Sequence, residues 1–183
     1  MRRLIVCSLL ALAATAPLTA AAPAHAAGGL IGMDAMMATV FQDGQSSFSG
    51  LALRGRLHNS MFLENVEFLP TVEYWRNSSS VSAFGLNAIR RDATMGADAR
   101  WLFPGEAWRF YAGGGYAIHF LSNEVNAPII GHRNDSLTKG GVTLLGGIAY
   151  GTKSRFGNFI EVKGHLIGDF RQLKINMGLS WNQ

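Results

Sequence analysis

Residues 108–120 read Trp-Arg-Phe-Tyr-Ala-Gly-Gly-Gly-Tyr-Ala-Ile-His-Phe. Large apolar side chains stand at most even positions from Trp108 to Phe120, while Arg109 and His119 stand at odd positions among mostly small residues. Successive side chains of a strand point to opposite faces, whereas a helix repeats every ~3.6 residues. The alternation therefore predicts a β-strand with one apolar face and one mixed, partly charged face.

The same period of two returns along the rest of the chain. Residues 173–181 place Leu173, Ile175, Met177, Leu179 and Trp181 on one face and polar or small residues on the other. Six further segments alternate with varying clarity, and their approximate ranges are 31–41, 51–58, 66–74, 94–103, 141–150 and 160–166. The pattern predicts eight strands, and the ambiguous stretch 81–89 is either a long loop or a strand extension.

Two kinds of connection separate these strands. Short turns follow the second, fourth and sixth strands at Asn59-Ser60, Pro104-Gly105-Glu106 and 151–154, and longer polar stretches cover 77–92 and 123–138. If the chain starts on the periplasmic side, all three short turns fall there and both long stretches fall outside. That asymmetry is typical of bacterial transmembrane barrels. The predicted fold is all-β, a closed eight-stranded antiparallel up-and-down transmembrane barrel.

Composition and the first residues agree with an exported protein. The chain has 183 residues, 48% hydrophobic, 15% charged, with one cysteine, Cys7. The apolar content excludes disorder, and the single cysteine excludes a disulfide scaffold. Arg2 and Arg3, the apolar run 4–18 and Ala24-His25-Ala26 predict a signal peptide over 1–26 and a mature barrel domain over 27–183. No long basic cluster points to nucleic acid.

The two faces of the strands decide between a membrane barrel and a soluble one. Aromatic residues lie on the apolar face near the periplasmic rim, as a membrane-interface girdle requires; they are Trp101, Phe103, Trp108, Phe110, Tyr150 and Trp181. The polar face carries nearly balanced charges, as a narrow low-dielectric lumen needs; they are Asp34, Arg54, Arg56, Glu67, Glu73, Asp98, Arg100, Arg109, Glu161, Lys163 and Lys174. A soluble periplasmic lipocalin-like barrel, with its charges outside, is the alternative.

These features together resemble a family. The signal, the eight strands and segments such as 97–104 and 109–115 are similar to the small outer-membrane barrels of the OmpA, OmpX and opacity-protein kind. The resemblance implies a monomer in the outer membrane of a Gram-negative bacterium, in contact with lipid and lipopolysaccharide and assembled by the barrel-insertion machinery. Members usually end on an aromatic residue, whereas Asn182 and Gln183 follow Trp181 here. The implied role is structural or surface binding through the external loops.

One constellation suggests an enzyme instead. His119-Phe120-Leu121-Ser122-Asn123 resembles the His-x-Ser-Asn element of outer-membrane lipid A deacylases, in which a Ser activated by a His cleaves an ester. Here two residues separate His119 from Ser122, so a regular strand turns His119 inward and Ser122 outward. The main prediction therefore names no catalytic residue. The histidines lack metal-ligand spacing, and no cofactor or metal is expected.

Overall fold

The structure is a computed structural model that describes residues 29–42, 47–58, 63–81, 86–127, 131–168 and 170–183. The predicted signal peptide 1–26 and the predicted turn at Asn59-Ser60 lie outside the described residues. No helix in the described part is long and apolar enough to cross a membrane.

Eight antiparallel strands form one closed barrel, which confirms the predicted fold. Each strand pairs with its sequence neighbours, and β1 closes the barrel against β8 from Gly32 opposite Asn182 to Gln42 opposite Gln172. The strands are β1 (Gly29–Gln42), β2 (Phe48–His58), β3 (Val66–Val81), β4 (Leu86–Leu102), β5 (Trp108–Ala127), β6 (Gly131–Tyr150), β7 (Phe156–Ile167) and β8 (Phe170–Asn182).

The two long polar connections are shorter than predicted, and of the two alternatives left open for 81–89 the strand extension is correct at Val81 and over 86–89. β3 continues to Val81 and pairs with β4 from Leu86, and β5 continues to Ala127 and pairs with β6 from Gly131. The backbone ladder sustains these hairpins although their side chains are largely polar. By contrast, the short connections at 103–107 and 151–155 lie where the sequence predicts them. We call the end of the barrel that carries them the short-turn end.

Alternation sorts the side chains into an outer and an inner set. On β1 every second residue from Gly32 to Val40 is buried, and the residues between them are exposed. Five of the six predicted girdle aromatics are exposed on the outer wall, and Trp181 is partly buried. Trp108 packs against Tyr150 with ring centroids 4.6 Å apart. The outer wall is thus apolar along its middle, and the charged residues there lie inside, whereas the charges near the far ends of the strands, such as Arg133 and Asp135, are exposed.

Candidate functional site

The centre of the interior is an ion-pair network around Arg54. Its guanidinium lies 2.8 Å from Asp34 Oδ2 and 2.6 Å from Glu161 Oε2, and all three side chains are buried. Glu161 also accepts hydrogen bonds from Tyr111 Oη at 3.1 Å and Asn176 Nδ2 at 3.0 Å. β1, β2, β5, β7 and β8 each contribute one of these residues, so the network joins walls that do not pair directly.

Further pairs extend this network toward the short-turn end. Arg56 Nε lies 3.2 Å from Asp34 Oδ1, and the Arg56 guanidinium also bonds to the Asn182 side chain. Glu67 accepts two bonds from Arg100, at 2.9 and 2.6 Å, and the Arg100 guanidinium lies 4.6 Å from the centroid of the Tyr111 ring. Every one of these charges has an opposite partner, which offsets the cost of removing it from water.

A second network lies on the other side of the centre. Lys163 Nζ lies 3.2 Å from Glu73 Oε1 and 2.9 Å from Asp98 Oδ2, so one ammonium bridges two carboxylates. Lys174 forms an ion pair with the other oxygen of Glu73, and Thr143 donates to Asp98. The four charged side chains of this network are buried.

A buried histidine pair forms a third polar cluster. His119 Nδ1 lies 2.7 Å from Asp92 Oδ2 and 3.0 Å from Thr94 Oγ1, while His119 Nε2 lies 3.0 Å from His165 Nδ1. The sequence assigned Asp92 to an external loop, and this is wrong, because β4 extends past it and buries it inside the barrel. Within the described residues no group of three or more His, Cys, Asp or Glu side chains is arranged to hold a metal ion.

Of the eleven charged residues assigned to the lumen, ten are buried in the interior. Arg109 is only half-buried, and its Nε donates to the Gly105 carbonyl of the short turn at 3.3 Å. Reasoning from the sequence did not place Asp92 in the interior, and it did not predict that part of the interior is apolar. One signal was available for Asp92, since it lies two residues from inward Thr94. The apolar residues form two clusters, one of Ala38, Val40, Phe48, Trp75 and Leu121 and one of Met36, Ala52, Leu69, Leu102, Tyr111, Leu145, Ala149 and Phe159.

The esterase arrangement is absent from the geometry of β5. His119 is fully buried inside the barrel, whereas Ser122 Oγ lies on the outer side and bonds to Asn134 Oδ1 at 3.3 Å in an exposed position. Pairing of β4 with β5 continues without a bulge from Leu102 opposite Tyr111 to Asn87 opposite Asn126. The two side chains therefore face opposite ways, as their spacing predicts, and His119 cannot take a proton from Ser122.

We therefore expect His119→Ala and Ser122→Ala to leave the acylation of lipid A unchanged. Ser122→Ala removes one exposed hydrogen bond, whereas His119→Ala opens a buried polar cluster and should lower stability only. Mass spectrometry of lipid A from cells with and without each variant checks this. Loss of an acyl chain with the native protein, abolished by either substitution, would contradict the expectation.

The fold and the charged interior define a small barrel of the outer-membrane architecture. No protein-family model and no curated protein sequence matches the chain. Among solved structures it is similar to Ail, the attachment invasion locus protein of Yersinia pestis, with 12% identity over 87% of this chain and 100% of that one and a TM-score of 0.59. Neisserial surface protein A is 14% identical over 85% of this chain and 99% of that one, with a TM-score of 0.59. A major outer membrane protein of Thermus thermophilus is 11% identical over 87% of this chain and 100% of that one, with a TM-score of 0.60. At these identities the likeness is one of fold.

Proposed function

We propose that this chain is an integral protein of the bacterial outer membrane whose interior is closed by paired side chains and whose work is done at the cell surface. In the proposed orientation the short-turn end of the barrel faces the periplasm, and the β3–β4 and β5–β6 hairpins face the outside of the cell. The protein acts without catalysis, as a monomer, in adhesion, ligand contact or envelope support. The observation that carries the proposal is the exposed apolar outer wall around a charged interior.

The apolar wall has the height of a membrane. On β5 it runs from Trp108 to Phe120, and the next outward residues are Ser122, Glu124 and Asn126. Twelve residue steps at about 3.3 Å each, tilted by about 40°, span roughly 30 Å along the barrel axis. A bilayer core of about this thickness removes the wall from water. In a soluble barrel the same wall would be one large exposed apolar patch, which monomers avoid.

The inward charges argue against both a lipocalin-like binding barrel and a wide pore. A lipocalin-like barrel needs its charges outside, yet Arg54, Lys163 and Lys174 are almost completely buried. Eight strands enclose a space that side chains can just fill. The pairing of these charges across the barrel supports the proposal that side chains close the interior.

The hairpins supply the surface for the proposed role. β3 to β6 have 16 to 20 residues, whereas the other four strands have 11 to 14, so one side of the outer rim stands above the other. Residues 131–138 are exposed on both faces of β6. The basic residues here contact polar neighbours, since Arg91 pairs with Glu124 and Arg133 with Asp135. Lipopolysaccharide is the lipid expected around this rim, and the attachment function in the name of Ail makes adhesion the leading role.

Cell fractionation tests the location. The protein should remain in the outer-membrane fraction after a carbonate wash, and its folded form should migrate differently from the boiled form on a gel. Planar bilayers that contain the same preparation should show no large, steady conductance. Release as a soluble periplasmic protein would overturn the membrane assignment, and a stable wide channel would overturn the closed interior.

A further inference from the structure

We infer that the turn between β6 and β7 binds the phosphate headgroup of an anionic phospholipid in the periplasmic leaflet. This inference rests on the proposed function, because it requires the barrel to lie in a bilayer with its short turns toward the periplasm. The candidate site is an open cleft of about 490 Å³ whose wall includes Thr152, Lys153, Ser154, Arg155 and Asn182. We call it the turn cleft.

Charge distinguishes this turn from the other two at the same end. Lys153 and Arg155 are both exposed, and the turn 151–155 contains no acidic residue. The connection 59–65 carries Glu64 as its only charged residue, and the connection 103–107 carries only Glu106. Of the three short connections, this one alone is therefore cationic by sequence. A Lys and an Arg two residues apart suit a phosphodiester, whose single negative charge is shared by two oxygens that can each accept from one donor.

The turn cleft has a fixed shape because β8 holds it. The backbone N–H of Asn182 donates to the Arg155 carbonyl at 2.8 Å. The side-chain Nδ2 of Asn182 donates to the Gly151 carbonyl at 3.4 Å and to the Ser154 carbonyl. Ser154 N closes the turn on Gly151 O at 2.9 Å, and Gly151 has a positive φ of 72°. The two cations thus project from a braced backbone, which lowers the entropy lost when a ligand binds.

The turn cleft also offers a hydroxyl that the fold does not use. Thr152 Oγ1 is shielded from solvent and makes no hydrogen bond within the described residues. Buried polar atoms normally have a partner. Because Thr152 as a residue is only half-buried, rotation of its side chain would turn this hydroxyl into the cleft. A phosphate oxygen can accept from this hydroxyl while Lys153 and Arg155 neutralise its charge.

The adjoining wall is apolar, which favours a lipid over a free anion. Phe156 follows Arg155 directly, is 68% exposed and pairs with Trp181, another wall of the turn cleft. The Arg155 guanidinium lies 5.9 Å from the centroid of the Phe156 ring. A headgroup held at Lys153 and Arg155 would therefore place its acyl chains along Phe156 and Leu179, which is also 68% exposed. Cations beside an aromatic girdle are the usual partners of anionic lipid.

Native mass spectrometry of the full barrel tests the inference, with phosphatidylglycerol and phosphatidylcholine as probes. We expect phosphatidylglycerol to bind more tightly to the native protein. The double variant Lys153→Ala/Arg155→Ala should weaken that binding about 10- to 30-fold. The matched control Arg76→Ala/Arg171→Ala removes two exposed arginines at the end of the barrel opposite the short turns. It should change the affinity for phosphatidylglycerol less than about twofold. Phe156→Ala should also weaken binding, because it removes the contact to the acyl chains.

Three results would overturn the site. They are equal binding of the two lipids, equal loss in the two double variants, and full competition by millimolar inorganic phosphate, which would assign the cleft to a free anion. Failure of the proposed function is a separate outcome. In that case the native protein would not enter liposomes or change its gel mobility on boiling, whereas failure of the site alone leaves insertion intact in every variant.

Discussion

Arg54→Met is expected to lower the free energy of unfolding by about 3–5 kcal/mol, because it leaves buried carboxylates without their main cation. Arg54 contacts Asp34 and Glu161 at 2.8 and 2.6 Å in a fully buried position. Asp34 retains Arg56, but Glu161 keeps only the neutral donors Tyr111 and Asn176 within hydrogen-bond reach among the described residues. Methionine is shorter than arginine but has a similar volume, so the loss reports mainly the charge and its hydrogen bonds to Asp34 and Glu161. Urea unfolding in detergent measures it.

The matched control is Arg91→Met in the β3–β4 hairpin. Arg91 pairs with Glu124 at 3.2 Å, but the two side chains are 39% and 28% exposed, so the change should cost less than about 1 kcal/mol. Adding Glu161→Gln to Arg54→Met should recover part of the loss, since it removes the stranded charge. Equal shifts at Arg54 and Arg91 would show that the interior is wet and its charges screened.

The second large effect is expected for Gly115→Ala. This substitution should lower the free energy of unfolding by about 3 kcal/mol or prevent folding altogether. Gly115 lies opposite Asp98 across the β4–β5 pair. An added methyl group would collide with the Ala97 carbonyl oxygen and lie 2.6 Å from Asp98 Cα and 2.8 Å from Asp98 Oδ1. The backbone of β4 is paired on both sides and cannot withdraw. The fraction of protein with folded gel mobility measures the result after refolding.

Gly164→Ala on β7 is the control for this prediction. The nearest atom to an added methyl group there is the Leu144 carbonyl oxygen at 4.0 Å, so the change should be nearly neutral. If both alanine variants refold equally well, the run Gly113-Gly114-Gly115 does not serve the close approach of the strands. A loss confined to Gly115 would show that the close approach of β4 and β5 at this position requires a glycine.

The strands could be predicted well from the sequence, because alternate residues of a barrel strand face the outer wall and the interior. These two environments select different kinds of side chain. Along β5 the outward residues Trp108, Phe110 and Phe120 and the inward His119 follow from parity alone. Strand ends were less predictable, since residues 131–138 are exposed on both faces and lose the alternation that marks a strand. Backbone hydrogen bonds extend the β5–β6 hairpin, and the polarity of the side chains gives no sign of these bonds.

Contacts across the barrel could not be predicted in the same way. His119 and His165 are 46 residues apart, and Arg54 and Glu161 are 107 apart, so no spacing in the sequence links them. Parity shows that each side chain points inward, but the shear of the barrel decides which ones meet. The turn cleft was missed for the same reason, since Asn182 reaches it only through the pairing of β8 with β7.

Cysteine labelling of two adjacent residues on β5 tests the central claim most directly. Ile118 is 41% exposed on the outer wall and Ala117 is 1% exposed inside, and Cys7, the sole native cysteine, lies in the predicted signal peptide. In liposomes, a bimane on Ile118→Cys should be quenched by phospholipids brominated on their acyl chains. Ala117→Cys should resist a water-soluble maleimide until the barrel is unfolded. Rapid maleimide reaction at Ile118 without lipid quenching would contradict the membrane assignment, and rapid reaction at Ala117 in the folded barrel would contradict the closed interior.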